Sequence, residues 1–201
     1  MARGTTRRRL LGRAIAAAPA ACLLSPATSL LAAPAARAQP QSDADLLTNA
    51  LAVQQLEVYA YRRLLASTAL DGDAGALVTH LLALEVQHAA AIGAEVERLG
   101  GTVPSGPADL ATADRELARH PVAGRLAGTR SQHDCVKLLI DLESVAEGAC
   151  YAAIMELSDA GVARLAAEVM SSEAQQWTLL DQLQHRDVIR AVPGPFVEGT
   201  K

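Results

Sequence analysis

The chain has 201 residues, 50% of them apolar and 20% charged, with one Trp, one Phe and three Tyr. That supply of apolar side chains suits one packed domain and excludes a disordered chain, while scarce aromatics argue against a sandwich or barrel. Ala fills roughly a fifth of the positions and, with abundant Leu, points to helices.

In chain order, the first 38 residues read as an export signal. Arg7, Arg8 and Arg9 precede Leu10-Leu11, an Ala-rich and weakly apolar stretch runs from Ala14 to Ala33, and Ala36-Arg37-Ala38 offers small residues for cleavage. The pattern resembles a twin-arginine signal, so the twin-arginine translocase is the expected partner during export. Pro19, Pro26 and Pro34 disfavour a retained membrane-spanning helix. Six of the 18 basic residues lie in this segment and none of the acids, which takes the remaining chain from a net charge of −4 to −10. An acidic surface excludes nucleic acid as a partner and suits attraction of cations. Two cysteines remain, Cys135 and Cys150. On one helix they would stand about 22 Å apart, too far for a disulfide, and are expected to be buried.

Four long helical patterns follow. The first spans about Asp43 to Ser67, with Leu46, Ala50, Val53, Ala60 and Leu64 on one face. After a turn at Asp71-Gly72-Asp73-Ala74-Gly75, the second runs to Leu99 and stops at Gly100-Gly101. Residues 101–130 form the longest connection, with one short helix near Asp109 to Arg119. The third helix spans about Gln132 to Leu157 and the fourth about Val162 to His185, separated by Asp159-Ala160-Gly161. The tail from Ala191 to Lys201, containing Pro193-Gly194-Pro195, is expected to be irregular. The organisation is therefore a signal at 1–38, an all-α domain at 39–190 and a tail at 191–201. Two helical hairpins joined by a long crossover connection make a four-helix bundle.

Each helix places acids in its apolar stripe. Glu57 continues Leu46, Ala50 and Val53, while Glu85 and His88 lie within Leu81, Ile92, Val96 and Leu99. Glu143 and Glu147 border Leu139, Ala146, Cys150 and Ile154; Glu173 and Gln176 lie within Leu165, Val169, Leu180 and Leu183. Burying unpaired carboxylates costs several kcal/mol each, and four together repel. Arg62 and Arg63 fall largely off the stripe, so few cations are placed to compensate. Two divalent metal ions would neutralise four glutamates, and the three-residue spacing of Glu85 and His88 aims an oxygen and an imidazole at one point. The halves also repeat: Glu57 precedes Tyr61 as Glu147 precedes Tyr151, and Glu85-Val86-Gln87-His88 parallels Glu173-Ala174-Gln175-Gln176.

At these residues the chain resembles the ferritin-like superfamily of di-metal carboxylate proteins, over essentially all of residues 43–199. Leu142-Glu143-Ser144-Val145-Ala146-Glu147-Gly148 and Ala167-Glu168-Val169-Met170-Ser171-Ser172-Glu173 carry the likeness further. The resemblance implies a ferritin-like bundle with metal ligands at Glu57, Glu85, His88, Glu147 and Glu173 and a sixth position at Gln176. Glu143, Tyr61 and Tyr151 are expected to support the ligands, the phenols by hydrogen bonding to carboxylates. The family pattern carries His at the sixth position, and an amide oxygen binds transition metals more weakly than imidazole. A weakened second subsite is the consequence.

Two function classes follow. One is an exported metalloprotein holding one or two ions of iron or manganese, with oxidase or peroxide-scavenging activity. The other is a non-enzymatic bundle with a degenerate site, serving binding or scaffolding at the cell envelope. Neither fixes the oligomeric state, and a homo-oligomer stays open. No GxSxG or glycine-rich phosphate loop gives nucleophilic or nucleotide chemistry a foothold.

Overall fold

Ser42 starts the first helix, α1 (Asp43–Leu65), by a reciprocal cap: its hydroxyl accepts from the Asp45 N–H while the Asp45 carboxylate accepts from the Ser42 N–H. Ser131 and Asp134 repeat the device at the start of α4 (Gln132–Ile154). Between them lie α2 (Gly72–Arg98) and a short α3 (Leu110–Leu117), and α5 (Ala160–Leu183) follows. The computed structural model describes residues 41–184 except Asp71. The export signal assigned to residues 1–38 and the tail at 191–201 lie outside the described residues.

The four long helices fall where apolar periodicity puts them, with ends differing by a few residues. One boundary differs for a physical reason. The expected turn at 71–75 is shorter, because Gly72 takes φ +49° and lets the chain enter α2 at once. The far end of α2 closes with Gly100 N–H donating to the Glu97 carbonyl and Gly101 N–H to the Val96 carbonyl, with Gly100 at φ +78°. Gly100→Ala is therefore expected to cost about 1–2 kcal/mol, the left-handed penalty of a side-chain-bearing residue. Thermal unfolding should register this as a drop of a few degrees; no change would mean the α2 end contributes nothing to cooperativity.

Two apolar clusters fix the topology. One gathers Leu47 and Leu51 of α1, Ile92 and Val96 of α2, Cys150 of α4, and Val162 and Val169 of α5. The other gathers Ala60, Tyr61 and Leu64 of α1, Val78 and Leu81 of α2, Cys135, Leu138, Leu139 and Leu142 of α4, and Trp177 and Leu180 of α5. Read along the chain, α1 and α5 run from the first cluster to the second, and α2 and α4 run back. The connection from Leu99 to Ser131 must then travel the length of the bundle, as a crossover does. It is pinned on the way: Gln55 Nε2 donates to the Pro104 carbonyl, and Ala113, Leu117 and Leu126 are buried in the second cluster. The Asp114 carboxylate accepts from the Leu126 and Ala127 N–H groups, fixing a 3-10 turn at Leu126–Gly128. Asp43 ties the other end, accepting from the backbone N–H groups of Ser158 and Asp159 at 2.9 and 2.8 Å. Between the two apolar clusters every long helix contributes polar side chains to one buried layer.

Candidate metal centre

Polar residues recur three apart on three helices: Gln54 and Glu57 on α1, Glu85 and His88 on α2, Glu173 and Gln176 on α5. Each pair shares a helical face and occupies the stretch where that helix passes from one apolar cluster to the other. Helix α4 adds Glu143, on the same row as Leu139, Ala146 and Cys150. Glu57, Glu85, Glu143 and Glu173 are all 0% exposed, Gln54 and Gln176 are 1% exposed, and the His88 side chain is 12% exposed.

The side chains meet in two overlapping groups. Glu85, His88 and Glu173 bring one donor atom each within 4.8 Å of one another, and Glu57, Glu143 and Glu173 do the same. Glu173 belongs to both. His88 Nδ1 stands 3.1 Å from Glu173 Oε1 and 3.6 Å from Glu85 Oε2. The Gln54 amide bridges carboxylates, donating to Glu57 Oε2 at 2.8 Å and Glu173 Oε1 at 2.9 Å. Gln176 Nε2 donates to Glu85 Oε1 at 2.6 Å, and the Tyr61 hydroxyl donates to Glu143 Oε1. Even so, Glu57 Oε1, Glu85 Oε2, Glu143 Oε2 and Glu173 Oε2 are buried with no hydrogen-bond partner, as are Gln54 Oε1 and Gln176 Oε1.

Electrostatics follow from this crowding. Burial, then repulsion from Glu173, Glu85 and Glu143, pushes Glu57 well above the usual carboxylate range. Burial and the charges of Glu173 and Glu85 do the same to Glu143. Burial also raises Glu85, against the lowering effect of His88. For His88 burial favours the neutral imidazole, but the Glu173 and Glu85 carboxylates outweigh it and raise the group to about 9. Burial and the Glu143 charge lift the Tyr61 phenol well above its ordinary value, so it stays a donor. Cys150 is pushed up to about 12 by burial and then by Glu173, Glu85 and Glu147, and remains a thiol.

The structure thus brings together Glu57, Glu85, His88, Glu173 and Gln176, and adds Glu143. Glu143 was expected to support the ligands; it lies inside the Glu57 and Glu173 group, one turn before Glu147. Glu147 is half-buried and belongs to neither group, although its Oε2 is buried without a partner and the Glu173 charge helps raise its carboxyl after burial. Tyr61 meets Glu143 from across the bundle, whereas Tyr151 is half-buried and supplies none of the hydrogen bonds to these carboxylates. Gln54 was missed by sequence reasoning. Its signal was present, a polar residue three before Glu57 on the row of Ala50 and Tyr61. A surface groove of about 460 Å³ between α1, α4 and the end of α3 contains none of these residues. The donors form a buried set, of which His88 is the most exposed member.

Comparison with known proteins agrees with this architecture. Among solved structures, a conserved hypothetical protein, rv2844, from Mycobacterium tuberculosis superposes with a TM-score of 0.60 at 17% sequence identity. The match covers 72% of this chain and 92% of that one, a likeness of fold alone. No curated protein matches the chain. The family model for the ferritin-like domain matches residues 42–186, the whole bundle with its crossover, and the chain belongs to that family.

Proposed function

We propose that the buried layer is a metal centre for one or two ions of iron or manganese. The observation that carries this is the set of four carboxylate oxygens, on Glu57, Glu85, Glu143 and Glu173, buried without a hydrogen-bond partner. Such groups are costly unless something compensates them, and a divalent cation does so with charge as well as coordination. The donor set fits: oxygen-rich, with one imidazole, as iron and manganese accept. Glu85, His88 and Glu173 would hold one ion, and Glu57, Glu143 and Glu173 a second, with Glu147 at the edge.

When bound, iron or manganese supplies redox chemistry toward dioxygen, peroxide or Fe(II), which defines the activities to assay. The chain's own residues set the conditions for it. Apolar clusters on both sides exclude water, Gln54 and Gln176 orient carboxylates through their amides, and Tyr61 holds Glu143 as a hydrogen-bond donor. Residues 1–38 would direct the protein out of the cytoplasm by the twin-arginine route, which carries folded proteins and so permits loading before export.

A second reading is favoured by those same donors. Gln54, Gln176, Tyr61 and a protonated His88 already compensate part of the layer, as in a bundle that has lost its metal and serves as a scaffold. Elemental analysis of chelator-free protein separates the two. One or two equivalents of iron or manganese support the metal centre; no metal, and no gain in stability on reconstitution, would leave the scaffold. Gln176→His adds a second imidazole, and we expect it to raise bound metal toward two ions per chain. Unchanged stoichiometry in the variant would contradict the view that Gln176 weakens a subsite.

A further inference from the structure

We propose that the two halves of the centre select different cations: an imidazole-seeking transition ion at Glu85, His88 and Glu173, and a hard, oxygen-seeking ion of the Mn(II) class at Glu57, Glu143 and Glu173. This rests on the metal-binding reading above and goes beyond it by dividing the site.

The division follows from the donors. The first group holds nitrogen as well as oxygen, while the second is carboxylate only and fully buried. Imidazole favours later transition ions, and all-oxygen sets favour Mn(II) and other hard cations. Gln176, placed where a second imidazole would make the halves alike, does not restore the balance. Its Nε2 is committed to Glu85 Oε1, on the imidazole side.

Gln54 independently marks the oxygen-only group as a site. It is 1% exposed, its amide lies between Glu57 and Glu173, and its Oε1 is buried without a partner. Rotating that amide by half a turn exchanges Nε2 for Oε1 and adds a neutral oxygen to three carboxylates. The other half gains nothing from Gln54 except through the shared Glu173. Because nitrogen ligation binds Co(II) or Zn(II) far better than Mn(II), filling the imidazole half first leaves the oxygen half for the harder ion.

The test uses metal-free full-length protein, Co(II) and Mn(II). With one equivalent of each supplied together, anomalous diffraction is expected to place cobalt beside His88 and manganese between Glu57 and Glu143. His88→Gln should weaken Co(II) binding, read by its visible absorption, about tenfold or more while leaving Mn(II) binding, read by electron paramagnetic resonance, nearly unchanged. Glu143→Gln should do the reverse, and it keeps an oxygen for the Tyr61 hydroxyl. Cobalt and manganese scattered equally over both positions would overturn the division, as would His88→Gln weakening both ions alike. Neither ion binding the wild type overturns the metal-binding reading itself, a distinguishable failure. If a variant does not fold, the mixed-metal occupancy of the wild type decides alone.

Discussion

Glu85→Gln is expected to lower the melting temperature of metal-loaded protein by about 5–10 °C while leaving metal-free protein unchanged or slightly more stable. The first half follows from mass action. A ligand present at about a hundred times its dissociation constant stabilises the folded state by about 2.7 kcal/mol, and a domain of this size shifts about 2–4 °C per kcal/mol. Removing one carboxylate from the imidazole half removes much of that gain. The second half follows from what Glu85 is without metal: a fully buried carboxylate whose Oε2 lacks a hydrogen bond, beside Glu173 and His88. Gln keeps the shape and an oxygen for the Gln176 amide while removing a charge that burial disfavours. Scanning calorimetry of both forms checks it. Equal destabilisation with and without metal would assign Glu85 a purely structural role.

The same residues show which parts of the site could be read in advance. The bundle was legible because four long apolar stripes, separated by segments carrying glycine, Asp and Ser, leave few alternatives for an all-α chain. The crossover was legible from the length of residues 101–130. Glu57, Glu85, His88 and Glu173 stood out because each interrupts a stripe. Glu143 and Glu147 were harder, since both border the stripe of one helix and a helix turns only about 100° per residue. The internal repeat of Glu57 with Tyr61 and Glu147 with Tyr151 pointed to Glu147. The row Leu139, Glu143, Ala146, Cys150 points to Glu143, and it is Glu143 that lies fully buried beneath Tyr61. Gln54 was passed over for a different reason, although its place three before Glu57 was visible. A lone amide on an apolar row carries no charge to be compensated, and its bridging of Glu57 and Glu173 depends on α1 and α5 meeting in space. Pairings between helices are set by tertiary structure, which periodicity within one helix does not encode.

Metal-free and metal-loaded protein are expected to respond to pH in opposite directions between about pH 5 and pH 9. In the metal-free form the burial-raised carboxyls of Glu57, Glu85, Glu143 and Glu147 bind protons more tightly folded than unfolded. Their stabilising effect is present at low pH and is lost as pH rises through the folded values. His88 acts in the same sense: raised from 6.5 to about 9, its contribution is complete below its unfolded value and is lost as pH climbs through about 9. Glu173 faces these groups from α5, and Tyr61 and Cys150, both raised, stay protonated throughout the window. Each pK unit between folded and unfolded states is worth about 1.4 kcal/mol, so metal-free protein should melt several degrees higher near pH 5.5 than near pH 8.5. Metal reverses the slope, because protons and cations compete for the same carboxylates and imidazole. The carboxylates of Asp43, Asp109, Asp134 and Asp159, at the starts of helices, are held below the usual carboxylate range by the backbone and side-chain donors they accept from. Their stabilisation disappears only as pH falls through those depressed values, outside the window. Melting curves at matched ionic strength, with and without Mn(II), measure both slopes. Parallel slopes would show that the ions do not engage the buried carboxylates, and a metal-free slope that rises with pH would show those groups to be ionised without it.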